Sequence, residues 1–75
     1  MVPLGLLGEG EVGEIVAFGG RLAEARDGRA EDMGLRVGKQ VEMLRNASNA
    51  VLVKVDESRI AVDRGMAMRI RVRRA

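Results

Sequence analysis

The chain has 75 residues, with 13 basic and 11 acidic side chains and a net charge of +2. This length predicts one domain over residues 1–75, with little volume for an enclosed active site. The sequence has no cysteine, histidine, tyrosine or tryptophan, and Phe18 is its only aromatic. A disulfide framework and thiolate chemistry are therefore excluded, and the commonest general base and transition-metal ligand are missing. We expect no enzyme, no catalytic residues and no bound cofactor. No apolar run approaches the roughly 18 residues of a membrane span. Met1-Val2-Pro3-Leu4 lacks the charged start of a signal peptide. The expectation is a cytoplasmic protein without membrane insertion.

In chain order, Leu4 to Gly10 reads as a loop with two apolar anchors, Leu4 and Leu7. Glu11 to Phe18 reads as a strand of imperfect alternation, with a slip near Gly13 that suggests a bulge. Gly19-Gly20 ends it. Residues 21–33 hold the one plausible helix. Asp27-Gly28 interrupts it, which favours a short helix from about Arg29 to Met33 with Asp27 near its N-cap. Gly34 then suits the left-handed position that closes a helix, with Leu35 as the hydrophobic contact after it.

Gln40 to Arg45 reads as the next strand, and residues 46–49 (Asn-Ala-Ser-Asn) as a hairpin connection. In Val51 to Val55 the odd positions share one face. Asp56 to Arg59 reads as a tight turn, and Ile60 to Val62 as the return strand. Residues 64–68 read as a short turn, and Met68 to Val72 as a last strand with Met68, Ile70 and Val72 facing inward and Arg69, Arg71 and Arg73 outward. The sum is mostly β: about five short antiparallel strands and one short helix after the first. A sheet this small has to curl to bury its apolar faces and its edges, which predicts a small SH3-like barrel. Val53, Val55, Ile60, Val62, Ile70 and Val72 are its expected core.

The stretch Arg29-Ala30-Glu31-Asp32-Met33-Gly34-Leu35-Arg36-Val37-Gly38, followed by Val41, resembles the Arg-Leu-x-x-Met/Leu-Gly-Leu/Met-x-Pro-Gly-x-x-Val pattern of the ferrous-iron transport protein A family, FeoA. Leu4, Leu7, Gly10, Gly13 and Ile15 resemble that family's opening. Val53-Lys54-Val55, Ile60-Ala61-Val62, Ala67 and Ile70-Arg71-Val72 resemble its closing hairpin, small turn and last strand. Ala30 stands where leucine is usual, Val37 where proline is common and Glu57 where glycine is frequent. The resemblance implies an SH3-like barrel in the cytosol that associates with FeoB, the large membrane ferrous transporter with a cytosolic GTPase domain. It implies an accessory role that modulates that transporter. The same barrel occurs in DtxR-type metal-dependent regulators, so a domain serving such a regulator is the alternative. A small nucleic-acid-binding barrel is a further one. Weak self-association is left open.

The Arg29–Gly38 turn carries the residues most specific to that resemblance, and we expect it to present the partner contact. Arg29 and Arg36 are the exposed candidates. Met33 and Leu35 are candidates too, with core packing as the more ordinary role for both side chains. Met33, Met43, Met66 and Met68 read as core fillers. Glu9, Glu11 and Glu14 lie partly along one strand, where alternate side chains diverge, and Asp27, Glu31 and Asp32 have Arg26 and Arg29 beside them. No metal site is expected from either group. Arg69, Arg71, Arg73 and Arg74 read as a charged row guarding a strand, or as a contact for an acidic protein or nucleic acid. Nucleic acid is the less favoured, because small RNA-binding barrels usually add stacking aromatics.

Overall fold

A computed structural model describes residues 1–19 and 34–75. Two-residue periodicity dominates the chain, and strands follow it. They are β1 (Val2–Pro3), β2 (Val12–Phe18), β3 (Gln40–Asn46), β4 (Ala50–Val55), β5 (Ser58–Asp63) and β6 (Ile70–Arg74). A 3₁₀ turn occupies Leu4–Leu6, and one helical turn, α1, occupies Arg64–Ala67. The strands form one antiparallel sheet in the order β1-β6-β2-β3-β4-β5. Ile15, Val41, Met43, Val53, Val62, Ile70 and Val72, drawn from five strands, are all buried in one cluster. A sheet achieves this on one face only by curling around it, and the fold is the small SH3-like barrel the alternation predicts. Leu4 and Leu7 from the N-terminal segment, Leu35, and Ala67 from α1 complete the cluster. Each aliphatic side chain of leucine size buried there contributes about 1.5–3 kcal/mol relative to exposure.

Several expectations need correction. The sheet has six strands among the described residues, because Val2 and Pro3 pair with Val72 and Arg71. Met68 does not face inward. It caps α1 and is 36% exposed, since β6 starts only at Ile70. Ile60 is half-buried and packs against the core from outside it. Residues 64–68 form an α-turn: the Asp63 carboxylate accepts from Met66 N at 3.0 Å as an N-cap, and Met68 N donates to Arg64 O at 2.9 Å. The β4–β5 loop is only Asp56-Glu57, with Val55 and Ser58 paired across it. Its left-handed angle falls on Asp56 (φ 55°), an acid that tolerates it, so Glu57 needs no glycine freedom. The helix expected at 29–33, with its Asp27 cap, lies outside the described residues.

Two bulges decide which side chains face in. Gly13 is not one of them: it is in register with both Val41 and Arg74. A Cβ there would sit 3.2 Å from Arg73 O and 3.3 Å from the Val72 side chain, so glycine permits the close approach of β6. The extra residue of β2 is Val16, between the pairs Ile15–Val72 and Ala17–Arg71. It turns Phe18, opposite Ile70, onto the core side and leaves Ala17 outside. The extra residue of β3 is Leu44, between Met43–Val53 and Arg45–Leu52. It exchanges Arg45 for Asn46 opposite the buried Val51.

Asn46 is thereby aimed at the N-terminal segment. Its amide Nδ2 donates to Gly5 O and Leu7 O, both at 2.9 Å. Its Oδ1 accepts from Arg64 Nη2. The same guanidinium donates to Ala47 O at 2.6 Å, Ser48 O at 3.0 Å and Gly5 O at 3.3 Å. Arg64 therefore joins the N-terminal segment, the β3–β4 loop and the start of α1. Removing it leaves part-buried oxygens without a donor. Arg64→Ala is expected to cost about 2 kcal/mol or more and to lower Tm by roughly 10 °C, read by thermal circular dichroism. Arg64→Lys should recover little of this, because one ammonium cannot reproduce the fork.

Candidate functional site

Of the four residues expected to contact a partner, two are described. Leu35 is fully buried and takes the core role. Arg36 is exposed. Arg29 and Met33 lie outside the described residues. The backbone explains how Arg36 is presented. Lys39 N donates to Arg36 O at 3.0 Å, and Gly38 has φ 95°, which together mark a four-residue turn over Arg36–Lys39 of the type with glycine third. Gly38 N donates to Ile15 O at 2.8 Å, and Ile15 N donates to Lys39 O at 2.9 Å, so the turn is bolted to β2. Gly34, just before Leu35, has φ 94° and packs near Ile60. Arg36 and Val37 thus stand on a short loop held by backbone bonds at one end and a buried leucine at the other. Val37, at 60% exposure, is a large apolar side chain left in solvent there.

The acids near β2 are engaged one by one. Glu14 pairs with Arg73 at 2.8 Å and Glu11 with Arg74 at 3.1 Å. Glu9 accepts from Asn46 N at 3.1 Å. Each faces a different partner, and among the described residues no three metal-ligating side chains come together. The Gly8 backbone N–H, 2.6 Å from Glu11 Oε1, holds the Glu11 carboxyl below its ordinary value of 4.5, and the Arg74 charge adds to the effect against some desolvation. Asp56 pairs with Lys39 at 3.0 Å. A shallow polar depression of about 300 Å³ on β3 and β4, lined by Gln40, Glu42, Lys54 and Asp56 among others, is open to solvent. Its residues enclose nothing and converge on no point, unlike a small-molecule pocket.

On β6, Arg71 and Arg73 point outward, opposite Ala17 and Glu14. Arg69 is exposed just before the strand, and its carbonyl accepts from Gly19 N at 2.6 Å. Among the described residues neither Arg69 nor Arg71 has an ion-pair partner. Sequence reasoning did not find the Arg64–Asn46 junction. Its partners lie 16 to 59 residues apart along the chain, so no local pattern announces it. No helix among the described residues is long and apolar enough to cross a membrane.

Comparison with known proteins adds to this geometry. Residues 2–74 match the model of the FeoA domain family. A Methanocaldococcus jannaschii protein named "Putative Fe(2+) transport protein A" is 35% identical over 75 residues, covering 96% of this chain and 85% of the relative. A crystal structure of an iron uptake regulatory protein (FeoA) superposes with a TM-score of 0.85 at 28% identity, over 99% of this chain and 96% of that one. The solution structure of the FeoA protein from Chlorobium tepidum gives 0.82 at 25% identity, over 97% and 70%.

The turn explains one substitution against the family pattern. Its second position, held by Val37, is the one where proline is preferred. Val37→Pro is expected to stabilise the fold by about 0.4–1 kcal/mol, raising Tm by a few degrees in a thermal melt. Glu11 sets an acid response. Its carboxyl is lowered in the folded state, so its contribution is complete above the unfolded value and is lost as pH falls through the folded one. The Tm difference between wild type and Glu11→Gln should be present at neutral pH and should shrink progressively as pH falls below the ordinary value of 4.5.

Proposed function

The chain belongs to the FeoA domain family, and from that premise we propose that it serves ferrous iron transport as a non-enzymatic accessory protein. It does so by contacting the cytosolic part of a FeoB-type membrane transporter and modulating it. The observation that carries this reading is the match of residues 2–74 to the family, supported by superposition on solved FeoA structures over nearly the whole chain. Ferrous iron is the cargo of the transporter in this reading, and no step of the accessory's work needs the chain to hold it. The exposed turn supplies a contact suited to the task. Arg36 projects from a loop bolted to β2, so little chain entropy is lost when a partner engages it. Arg29, in the same family-specific stretch, is the second cation of this contact.

Binding of the chain to the isolated cytosolic part of the transporter from the same organism tests the reading, by interferometry or calorimetry. Reversing both charges, Arg29→Glu with Arg36→Glu, is expected to weaken binding about tenfold while circular dichroism stays unchanged. Undiminished binding at physiological salt would place the contact elsewhere. No binding of the wild-type chain, with capture of a winged-helix regulator or of nucleic acid instead, would replace the reading.

A further inference from the structure

The outer face of β6 and the turn before it carry cations that form no ion pair among the described residues. Arg73 and Arg74 are neutralised by Glu14 and Glu11. Arg69 and Arg71 have no ion-pair partner among the described residues, and both are exposed. Arg71 lies in β6 and Arg69 two residues before it, in the turn that leads into the strand, so the two cations are neighbours along the chain. A row whose only task was to guard a strand edge would lie on an edge strand. Here β6 is bonded to β2 along its length, and β1 covers its other side at Arg71 and Val72, so Arg71 guards no open edge.

The position of the pair is also informative. Arg71 lies opposite Ala17 of β2, and the Arg36–Lys39 turn bonds to Ile15 of β2 from the opposite side. From strand spacings, the backbones of Arg71 and the turn are roughly 12 Å apart across one short stretch of β2. A single partner surface can span both. We propose that Arg69 and Arg71 form a second docking contact, complementary to an acidic protein segment presenting neighbouring carboxylates. This rests on the transporter reading above and extends the surface that reading uses. The contact is made by side chains, because the backbone of Arg71 already faces Pro3 on one side and Ala17 on the other. A nucleic acid fits the patch less well. Glu14 and Glu11 interrupt the positive row, and the single phenylalanine packs against the core instead of offering a stacking face.

The test measures binding to the isolated cytosolic part of the transporter for wild type, R69E/R71E, and R45E/K54E, which makes the same change in net charge at exposed positions on β3 and β4. R69E/R71E is expected to weaken binding at least about tenfold and to flatten its salt dependence, with R45E/K54E within about threefold of wild type. Wild-type binding retained by R69E/R71E overturns this contact and leaves the transporter reading standing. Equal weakening by both variants shows an effect of overall charge and overturns it too. If wild type does not bind at all, the reading fails and this contact with it. If R69E/R71E instead abolishes binding of a 20-nucleotide single-stranded RNA or of phosphatidylserine vesicles, with transporter binding unchanged, the patch serves a polyanion and the proposal is wrong.

Discussion

The guanidinium of Arg64 is the junction on which the closed end of this barrel depends. It donates to the backbone oxygens of Gly5, Ala47 and Ser48 and to the side-chain oxygen of Asn46. Those acceptors come from the N-terminal segment and from the β3–β4 loop, while Arg64 itself opens α1. Each of the three pieces is too short to order itself. A 3₁₀ turn of three residues, a three-residue loop and a single helical turn bury few side chains apart from Leu4, Leu7 and Ala67. Their backbone carbonyls still need donors as they pack together. Arginine meets that need because its donors are fixed in a planar fork, so one side chain satisfies several oxygens at once. No carboxylate is involved among the described residues, so the charge is stabilised by oriented backbone dipoles.

That junction would be out of reach without the bulge at Leu44. In an unbroken β3, Arg45 would stand opposite Val51 at the end of the barrel, and Asn46 would point to solvent. The extra residue reverses this. The bulge at Val16 does the same for β2, bringing Phe18 rather than Ala17 over Ile70. The two irregularities also add local twist, which helps a six-stranded sheet to curl around a core made largely of valine and isoleucine. Inward parity is thus restored at the barrel ends after each strand has bent. The outward set follows automatically: Ala17, Arg71, Glu14 and Arg73 share the exposed face of β2 and β6 because Ile15, Phe18, Ile70 and Val72 share the buried one.

This explains how much could be read in advance. Strand β4 and the heart of β6 were legible because their alternation is strict: Val51, Val53 and Val55, then Ile70 and Val72, and all five are buried. The two leucine anchors at 4 and 7 were legible as apolar residues in an otherwise glycine-rich opening. Bulges were not, because a slip in alternation shows that one exists without showing where. The broken pattern of β2 drew attention to Gly13, whereas the extra residue is Val16. Met68 was read as core by extending the β6 pattern one step too far. The N-cap at Asp63 and the turn after it rotate that residue outward. Of the contact residues, Leu35 and Arg36 separated as their chemistry suggests, the leucine inside and the arginine in water. The network around Arg64 and Asn46 was beyond reach, since its acceptors are backbone carbonyls that every residue possesses.

The economy of charge across the molecule bears on how it could recognise a partner. Three acids, at and before β2 and in the β4–β5 loop, each hold one cation: Glu14 holds Arg73, Glu11 holds Arg74 and Asp56 holds Lys39. All three pairs are exposed, so each is worth little to stability. Their larger effect is on the field they leave behind. A uniformly basic face would attract any polyanion, whereas pairing three of its cations leaves discrete positive points. Arg64 is removed from that field as well, its fork spent on carbonyls. What remains around β2 among the described residues is Arg36 on its bolted turn, with Arg71 on the neighbouring strand and Arg69 just before it. Discrete charges held by a rigid sheet discriminate by position, because a partner whose carboxylates sit a few ångströms away gains little and still loses hydration. A chain with one aromatic and neither histidine nor cysteine has few other means of being specific.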